Sequence, residues 1–172
     1  MPSKYRQGLI KELVLVLTAL GVIALDQISK FLVRSNMSVG QSIPEEGLVR
    51  ITYVTNTGGA FGILANQAFL ITVVAIVSVV AIFIYVSRPS LKRTPVTIAL
   101  GLVLGGTIGN LVDRLAFGAV ADFIDIGVGH HRWPMFNVAD TAIVAGVIVL
   151  LFFVLFEFRK REPVDGQSGQ KA

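Results

Sequence analysis

The stretch TPVTIALGLVLGGTIGNLV, residues 94–112, has no charged side chain and runs directly into Asp113-Arg114. A helix needs about 20 mostly apolar residues to cross the hydrocarbon core of a bilayer. Three other stretches also meet this requirement, and together the four predict spans at about 13–33, 69–86, 94–116 and 137–158. The predicted fold class is therefore an all-α membrane protein with four transmembrane helices.

The composition excludes several classes of protein. Hydrophobic residues make up 53% of the 172-residue chain and charged residues 15%, whereas soluble domains carry about 25% charged residues. The net charge of +4 is too small, and the apolar runs are too long, for nucleic acid to be the main partner. Because the chain has no cysteine, disulfides, thiolate metal sites, iron–sulfur clusters and a cysteine nucleophile are also excluded.

The distribution of basic residues predicts the orientation of the chain. Lys and Arg are enriched in the cytoplasmic loops of membrane proteins. Ten of the fifteen basic residues lie in the N-terminal segment, the connection between the second and third spans, and the tail, and seven of the eleven acids lie on the other side. Both termini are therefore predicted to be cytoplasmic, with extracytoplasmic loops at 34–68 and 117–136. One domain is predicted over residues 1–162, followed by a disordered tail over 163–172.

The outer loops are long enough to have structure of their own. Residues 48–55 are rich in β-branched side chains, which predicts a strand in the first outer loop. Residues 60–67, in a segment interrupted by glycines, are predicted to form a short helix on the membrane surface.

Two aspartates lie inside the predicted spans, where an ionisable side chain is costly and therefore points to function. Asp113 is about three residues from the outer end of the third span, and Asp140 is about as far from the outer start of the fourth. Antiparallel neighbouring helices would place these carboxyls at one depth. Two carboxyls a few ångströms apart share a proton. The predicted chemistry is therefore amide hydrolysis, with one carboxylate activating water and the other hydrogen-bonding the scissile carbonyl.

Each aspartate also has a structural interpretation. Asp113 could pair with Arg114 or another basic residue, and Asp140 could be a first-turn acid stabilised by the helix dipole, with Asn137 as the N-cap. Asn110 and Asn137 each precede an aspartate by three residues, so each could orient the carboxylate, bind substrate backbone or join two helices.

Other patterns concern packing and metal binding. Asp26 and Lys30 have i, i+4 spacing, which favours an ion pair that anchors the first helix over a direct role in the chemistry. Gly101, Gly105 and Gly109 form a stripe that predicts close approach of another helix. The acids and histidines of the second outer loop match no usual zinc spacing, so no metal and no cofactor are predicted.

Five motifs in chain order resemble those of bacterial lipoprotein signal peptidases, the signal peptidase II family. They are DQISK at 26–30, NTGGAFG at 56–62, GGTIGNLVDR at 105–114, VADF at 120–123 and FNVAD at 136–140. The resemblance implies an aspartic endopeptidase of the bacterial inner membrane. It would act on diacylglyceryl-modified prolipoproteins, just before the lipid-bearing cysteine, with membrane lipid around it and no obligate protein partner.

The resemblance also implies a role for each matching residue. Asp113 and Asp140 would be the catalytic pair. The substrate site would be lined by Asn56, Asn110, Arg114 and Asn137, and it would be supported by Asp26, Lys30 and Asp122. A small β-cradle and the surface helix would cover the cleft.

Two other functions fit parts of the pattern. A small proton-coupled transporter could use the aspartates as a relay, but it would need acids near the bilayer midplane rather than at one face. A structural four-helix subunit would leave the carboxylates within the spans unexplained.

Overall fold

A computed structural model describes residues 3–57, 73, 77 and 94–161. Its helices are α1 (Ser3–Asn36), α2 (Thr94–Phe117) and α3 (Val138–Arg161), and its strands are β1 (Ser42–Ile43), β2 (Val49–Asn56), β3 (Val120–Val128) and β4 (His131–Arg132). The first, third and fourth predicted spans correspond to α1, α2 and α3. The span at 69–86, apart from the helical residues 73 and 77, lies outside the described residues, as do the surface helix at 60–67 and the tail at 163–172.

Two described helices are long and apolar enough to cross a membrane, Gly8–Asn36 and Thr94–Phe117. The shorter segment Val138–Phe153 of α3 is also apolar. Along α1 the apolar side chains of Leu17, Leu25 and Phe31 are each more than half exposed. A surface of this kind is compatible with contact to lipid and unfavourable in water.

Helix α2 packs against both α1 and α3, and its glycines permit the close approach that their spacing predicts. A Cβ at Gly105 would lie 2.7 Å from the carbonyl oxygen of Ala19 in α1. On the other side, a Cβ at Gly106 would overlap the carbonyl oxygen of Ala139 in α3. Any larger residue at either position would therefore force the helices apart.

The four strands form one antiparallel sheet in the order β1-β2-β3-β4. Strand β2 confirms the strand predicted at 48–55. Strands β3 and β4 lie in the segment 117–136, for which the sequence predicted a loop without assigned strands. Because β3 starts three residues after α2 ends, the sheet lies at the end of α2 that carries Asp113.

A buried carboxylate joins three of the strands. Asp125 of β3 is fully buried and accepts hydrogen bonds from Thr52 at 2.7 Å and from Arg50 at 2.6 and 2.9 Å, both in β2. Arg132 of β4 also donates to it. This cluster fixes the register of β2, β3 and β4 around Asp125.

Candidate active site

A cavity of about 550 Å³ opens between α2, α3 and the sheet. One end is polar and the long wall is apolar. Among the described residues, its acidic lining residues are Asp122 and Asp140. The other polar lining residues include Asn56, Asn110 and Arg114, and the apolar wall includes Trp133, Met135, Phe136, Ile143, Val144 and Ile148.

Asp140 is held in the first turn of α3 by a reciprocal cap. The Asp140 backbone N–H donates to Asn137 Oδ1 at 2.9 Å, and the Asn137 backbone N–H donates to Asp140 Oδ2 at 3.2 Å. These bonds satisfy N–H groups that lack helical partners, and they confirm Asn137 as the N-cap. Asn110 Nδ2 donates to Asp140 Oδ1 at 2.8 Å from α2.

Asp122 reaches the same cavity from β3. Asp122 is only 2% exposed. Each of its carboxylate oxygens accepts a hydrogen bond from a side-chain amide, one from Asn137 Nδ2 at 2.7 Å and the other from Asn56 Nδ2 at 2.8 Å. Burial raises the pKa of Asp122 to about 6, and the neighbouring charge of Asp140 acts in the same direction, whereas the amide hydrogen bonds oppose the rise. Asp122 therefore holds a proton more readily than an exposed aspartate does.

Lys30 determines which way the Asn110 amide points. Asn110 Oδ1 accepts hydrogen bonds from Lys30 Nζ at 2.9 Å and from Asn137 Nδ2 at 3.1 Å. Lys30 can only donate, so the oxygen of Asn110 must face it and the Nδ2 group is left for Asp140. The amides thus connect both cavity carboxylates in one hydrogen-bonded network.

Asp113 lies in a different environment. It is fully buried, and its Oδ2 atom is 2.7 Å from Arg34 Nη2 and 3.3 Å from Lys30 Nζ. The same oxygen accepts the Ala121 backbone N–H at 3.0 Å. This geometry departs from the predicted pairing of Asp113 with Asp140, because the Asp113 side chain meets cations of α1 rather than the acidic end of the cavity.

The predicted ion pair of Asp26 and Lys30 is present. The two charged atoms are 2.8 Å apart and both side chains are fully buried. Asp26 also accepts the Ala139 backbone N–H at 2.9 Å, so it joins α1 to the start of α3.

Of the four residues predicted to bind substrate, three line the cavity: Asn56, Asn110 and Arg114. Asn137 instead hydrogen-bonds the carboxylates of Asp122 and Asp140 through its side chain and backbone. No role was predicted for Arg34 from the sequence, although Arg34 continues the four-residue spacing of Asp26 and Lys30.

The family model described as Signal peptidase (SPase) II matches residues 18–156. The chain belongs to the signal peptidase II family. All five motifs lie within the matched residues, and membership identifies the chain as a peptidase.

Curated relatives agree with this assignment of the chain to the signal peptidase II family. The chain is 44% identical over 146 residues to the lipoprotein signal peptidase of Moorella thermoacetica, and the match covers 81% of this chain and 91% of the relative. It is 41% identical over 147 residues to the lipoprotein signal peptidase of Bacillus velezensis, and this match covers 85% of this chain and 96% of the relative.

Solved structures agree as well. A bacterial membrane enzyme, 28% identical, superposes with a TM-score of 0.75 over 91% of this chain and 94% of that chain. A second bacterial membrane enzyme, 29% identical, has a TM-score of 0.73 over 82% and 92%. This signal peptidase II member therefore has the fold of a membrane enzyme, with apolar helices and a small antiparallel sheet.

Proposed function

We propose that this protein removes the signal peptide from prolipoproteins, cutting a diacylglyceryl-modified precursor just before the lipid-bearing cysteine. Family membership supports the peptidase activity and the names of the relatives support the substrate class. The cavity supports the lipid-modified form, because a polar end beside an apolar wall suits a peptide bond next to an acyl-bearing residue.

Asp122 and Asp140 are the proposed catalytic pair, in place of Asp113 and Asp140. The observation that carries this choice is that both line the cavity, where substrate and water can reach them. They are also bridged by Asn137, which donates to both. Asp113 is instead fully buried between two cations, which keep it ionised and away from substrate.

The proposed reaction needs the pair to share one proton. The ionised carboxylate takes a proton from water, whose oxygen attacks the carbonyl carbon, and the protonated carboxyl passes its proton to the carbonyl oxygen. When the C–N bond breaks, the first carboxyl protonates the leaving amine and the second regains its proton from the collapsing intermediate. The pair therefore ends with the one proton with which it began.

Substrate contacts are proposed for the other polar lining residues. The Arg114 guanidinium donates to the Asn110 carbonyl oxygen at 3.3 Å and lines the same end of the cavity as the carboxylates. Its remaining donors suit the carbonyl groups next to the cleavage site. Asn56, at the end of β2, would set the position of Asp122 and meet the substrate backbone.

The proposed topology has four spans, both termini in the cytoplasm and the catalytic end of the cavity at the extracytoplasmic face of the inner membrane. A signal peptide spans the bilayer from the cytoplasmic side, so its cleavage site emerges at that face. A proton-coupled transporter is not favoured, because the family is one of peptidases.

The decisive test compares Asp122→Asn, Asp140→Asn and Asp113→Asn in detergent, with a lipid-modified precursor and the same precursor unmodified. Asp122→Asn and Asp140→Asn should each lower kcat by about 10³-fold or more while the protein stays folded, because neither amide can exchange the proton. Asp113→Asn should lower the unfolding temperature, because Lys30 and Arg34 lose a partner, and the folded protein should still cleave the precursor, with its pH profile moved towards lower pH.

Wild-type protein should cleave the modified precursor alone. Equal cleavage of the unmodified precursor would contradict the proposed substrate. A stable, inactive Asp113→Asn variant beside an active Asp122→Asn variant would restore Asp113 as the partner of Asp140.

A further inference from the structure

Arg34 lies one turn beyond Lys30, near the end of α1. Its Nη2 atom is 2.7 Å from Asp113 Oδ2, and its guanidinium lies over the ring of Phe117, 4.2 Å from the centroid. The contact with Asp113 is one of charge rather than an aligned hydrogen bond. Arg34 thus ties the end of α1 to the end of α2 without reaching the cavity lining.

The ionisable groups around the site almost cancel. Among the described residues, α1, α2, α3 and β3 contribute four acids and three bases, which are Asp26, Asp113, Asp122, Asp140, Lys30, Arg34 and Arg114. One added proton brings their sum to zero. The cluster of Asp125 with Arg50 and Arg132 does not enter this charge balance, because it lies on the other face of β3 and its arginines reach solvent.

We propose that Arg34 is a positioning residue for the catalytic pair, because its charge neutralises Asp113 and so leaves one proton, not two, for Asp122 and Asp140 to share. This inference rests on the proposed function. The path between Arg34 and the pair is short, since Asp113 accepts the backbone N–H of Ala121, the residue that precedes Asp122.

Removal of the Arg34 charge would leave Lys30 to neutralise both Asp26 and Asp113. Four acids would then face two bases, and a second proton would be taken up at neutral pH. A doubly protonated pair has no base to activate water. The lost activity should therefore return at higher pH, where the second proton leaves.

The test compares Arg34→Met, Arg34→Lys and Phe117→Leu by the pH dependence of kcat/KM on a lipid-modified precursor. Arg34→Met keeps a long unbranched side chain without the charge. The acidic limb of its kcat/KM profile should move to higher pH by about one unit. Arg34→Lys keeps the charge and Phe117→Leu removes only the ring, so both should keep the wild-type limb. The proposal would be overturned if the acidic limb of Arg34→Met did not shift, or if this variant lost the same fraction of kcat/KM at every pH.

Thermal unfolding in detergent supplies a readout that needs no activity. The difference in unfolding temperature between Arg34→Lys and Arg34→Met should be larger at pH 8 than at pH 5, because the carboxylates can take up protons at the lower pH. Arg34→Gln serves as the neutral variant if Arg34→Met does not fold. Equal differences at both pH values would contradict the charge role of Arg34, whereas failure of wild-type cleavage would contradict only the proposed function.

Discussion

At the scale of residues, the donors to each carboxylate decide its role. Asp122 and Asp140 accept hydrogen bonds from neutral amide groups, which orient them but add no positive charge. Asp113 and Asp26 contact cations at 3.3 Å or less. Neutral donors of this kind fit the proposed sharing of one proton by Asp122 and Asp140, whereas Lys30 and Arg34 favour the ionised form of Asp113.

Lys30 is the shared cation of this site, so its removal should cost more stability than removal of Asp26. Lys30→Met leaves Asp26 without a contacting cation and Asp113 with Arg34 alone, whereas Asp26→Asn leaves Lys30 with Asp113 and Asn110. Breaking a buried ion pair on one side costs about 3–5 kcal/mol. Denaturant unfolding in detergent should therefore rank Lys30→Met below Asp26→Asn.

The double variant completes the comparison. Because removal of both partners leaves no Asp26 carboxylate without a cation, the loss in the double variant should be smaller than the sum of the two single losses. Strict additivity would mean that the contact between Asp26 and Lys30 has no energetic importance.

At the scale of elements, β3 carries both a catalytic candidate and a structural carboxylate on opposite faces. Side chains alternate along a strand, so Asp122 faces the cavity while Asp125 is directed to the arginines. Burial opposes the ionisation of Asp125, but hydrogen bonds from Arg132, Thr52 and Arg50 outweigh it and lower its pKa below the ordinary value of 3.8. The register of β3, and with it the position of Asp122, depends on this charge.

Asp125→Asn should therefore destabilise the sheet. Breaking a fully buried ion pair costs about 3–5 kcal/mol, and the loss here should be smaller because Arg50 and Arg132 reach water. A carboxyl with a lowered pKa stabilises the fold fully above its ordinary pKa and loses that effect as the pH falls through the folded value. Thermal scans should show acid destabilisation below about pH 4 in the wild type. That component should be absent from Asp125→Asn, and identical pH profiles would contradict the role of this cluster.

The sequence predicted those elements whose signal is local. Apolar runs predicted α1, α2 and α3, the β-branched run predicted β2, and glycine spacing predicted the close approach to α2. The proposed partner of Asp140 could not be predicted in this way, because residue spacing shows only how deep each side chain lies along its own helix. The structure brings Asp122 to Asp140 from a strand, through tertiary contacts of Asn137 that no periodicity encodes.

At the scale of the whole molecule, polar contacts between helices contribute to the helix association that burial of apolar surface drives in soluble proteins. Lipid is as apolar as leucine, so helices in a membrane associate through close packing and polar contacts. Here Lys30 and Asp26 join α1 to α2 and α3, and the Asn110 amide joins α2 to α3. The interactions that hold the helices together therefore also position the proposed catalytic groups, which links stability to activity.

The orientation of the molecule in the bilayer can be tested with single cysteines, because the chain contains none. Glu46 is exposed in the first outer loop, and Ser90 lies in the connection predicted to be cytoplasmic. In spheroplasts, an impermeant thiol reagent should label Glu46→Cys and spare Ser90→Cys, and permeabilisation should make both react. Only this orientation places the cavity at the face where a signal peptide presents its cleavage site. Labelling of Ser90→Cys alone would reverse the topology and put the catalytic pair out of reach of the proposed substrate.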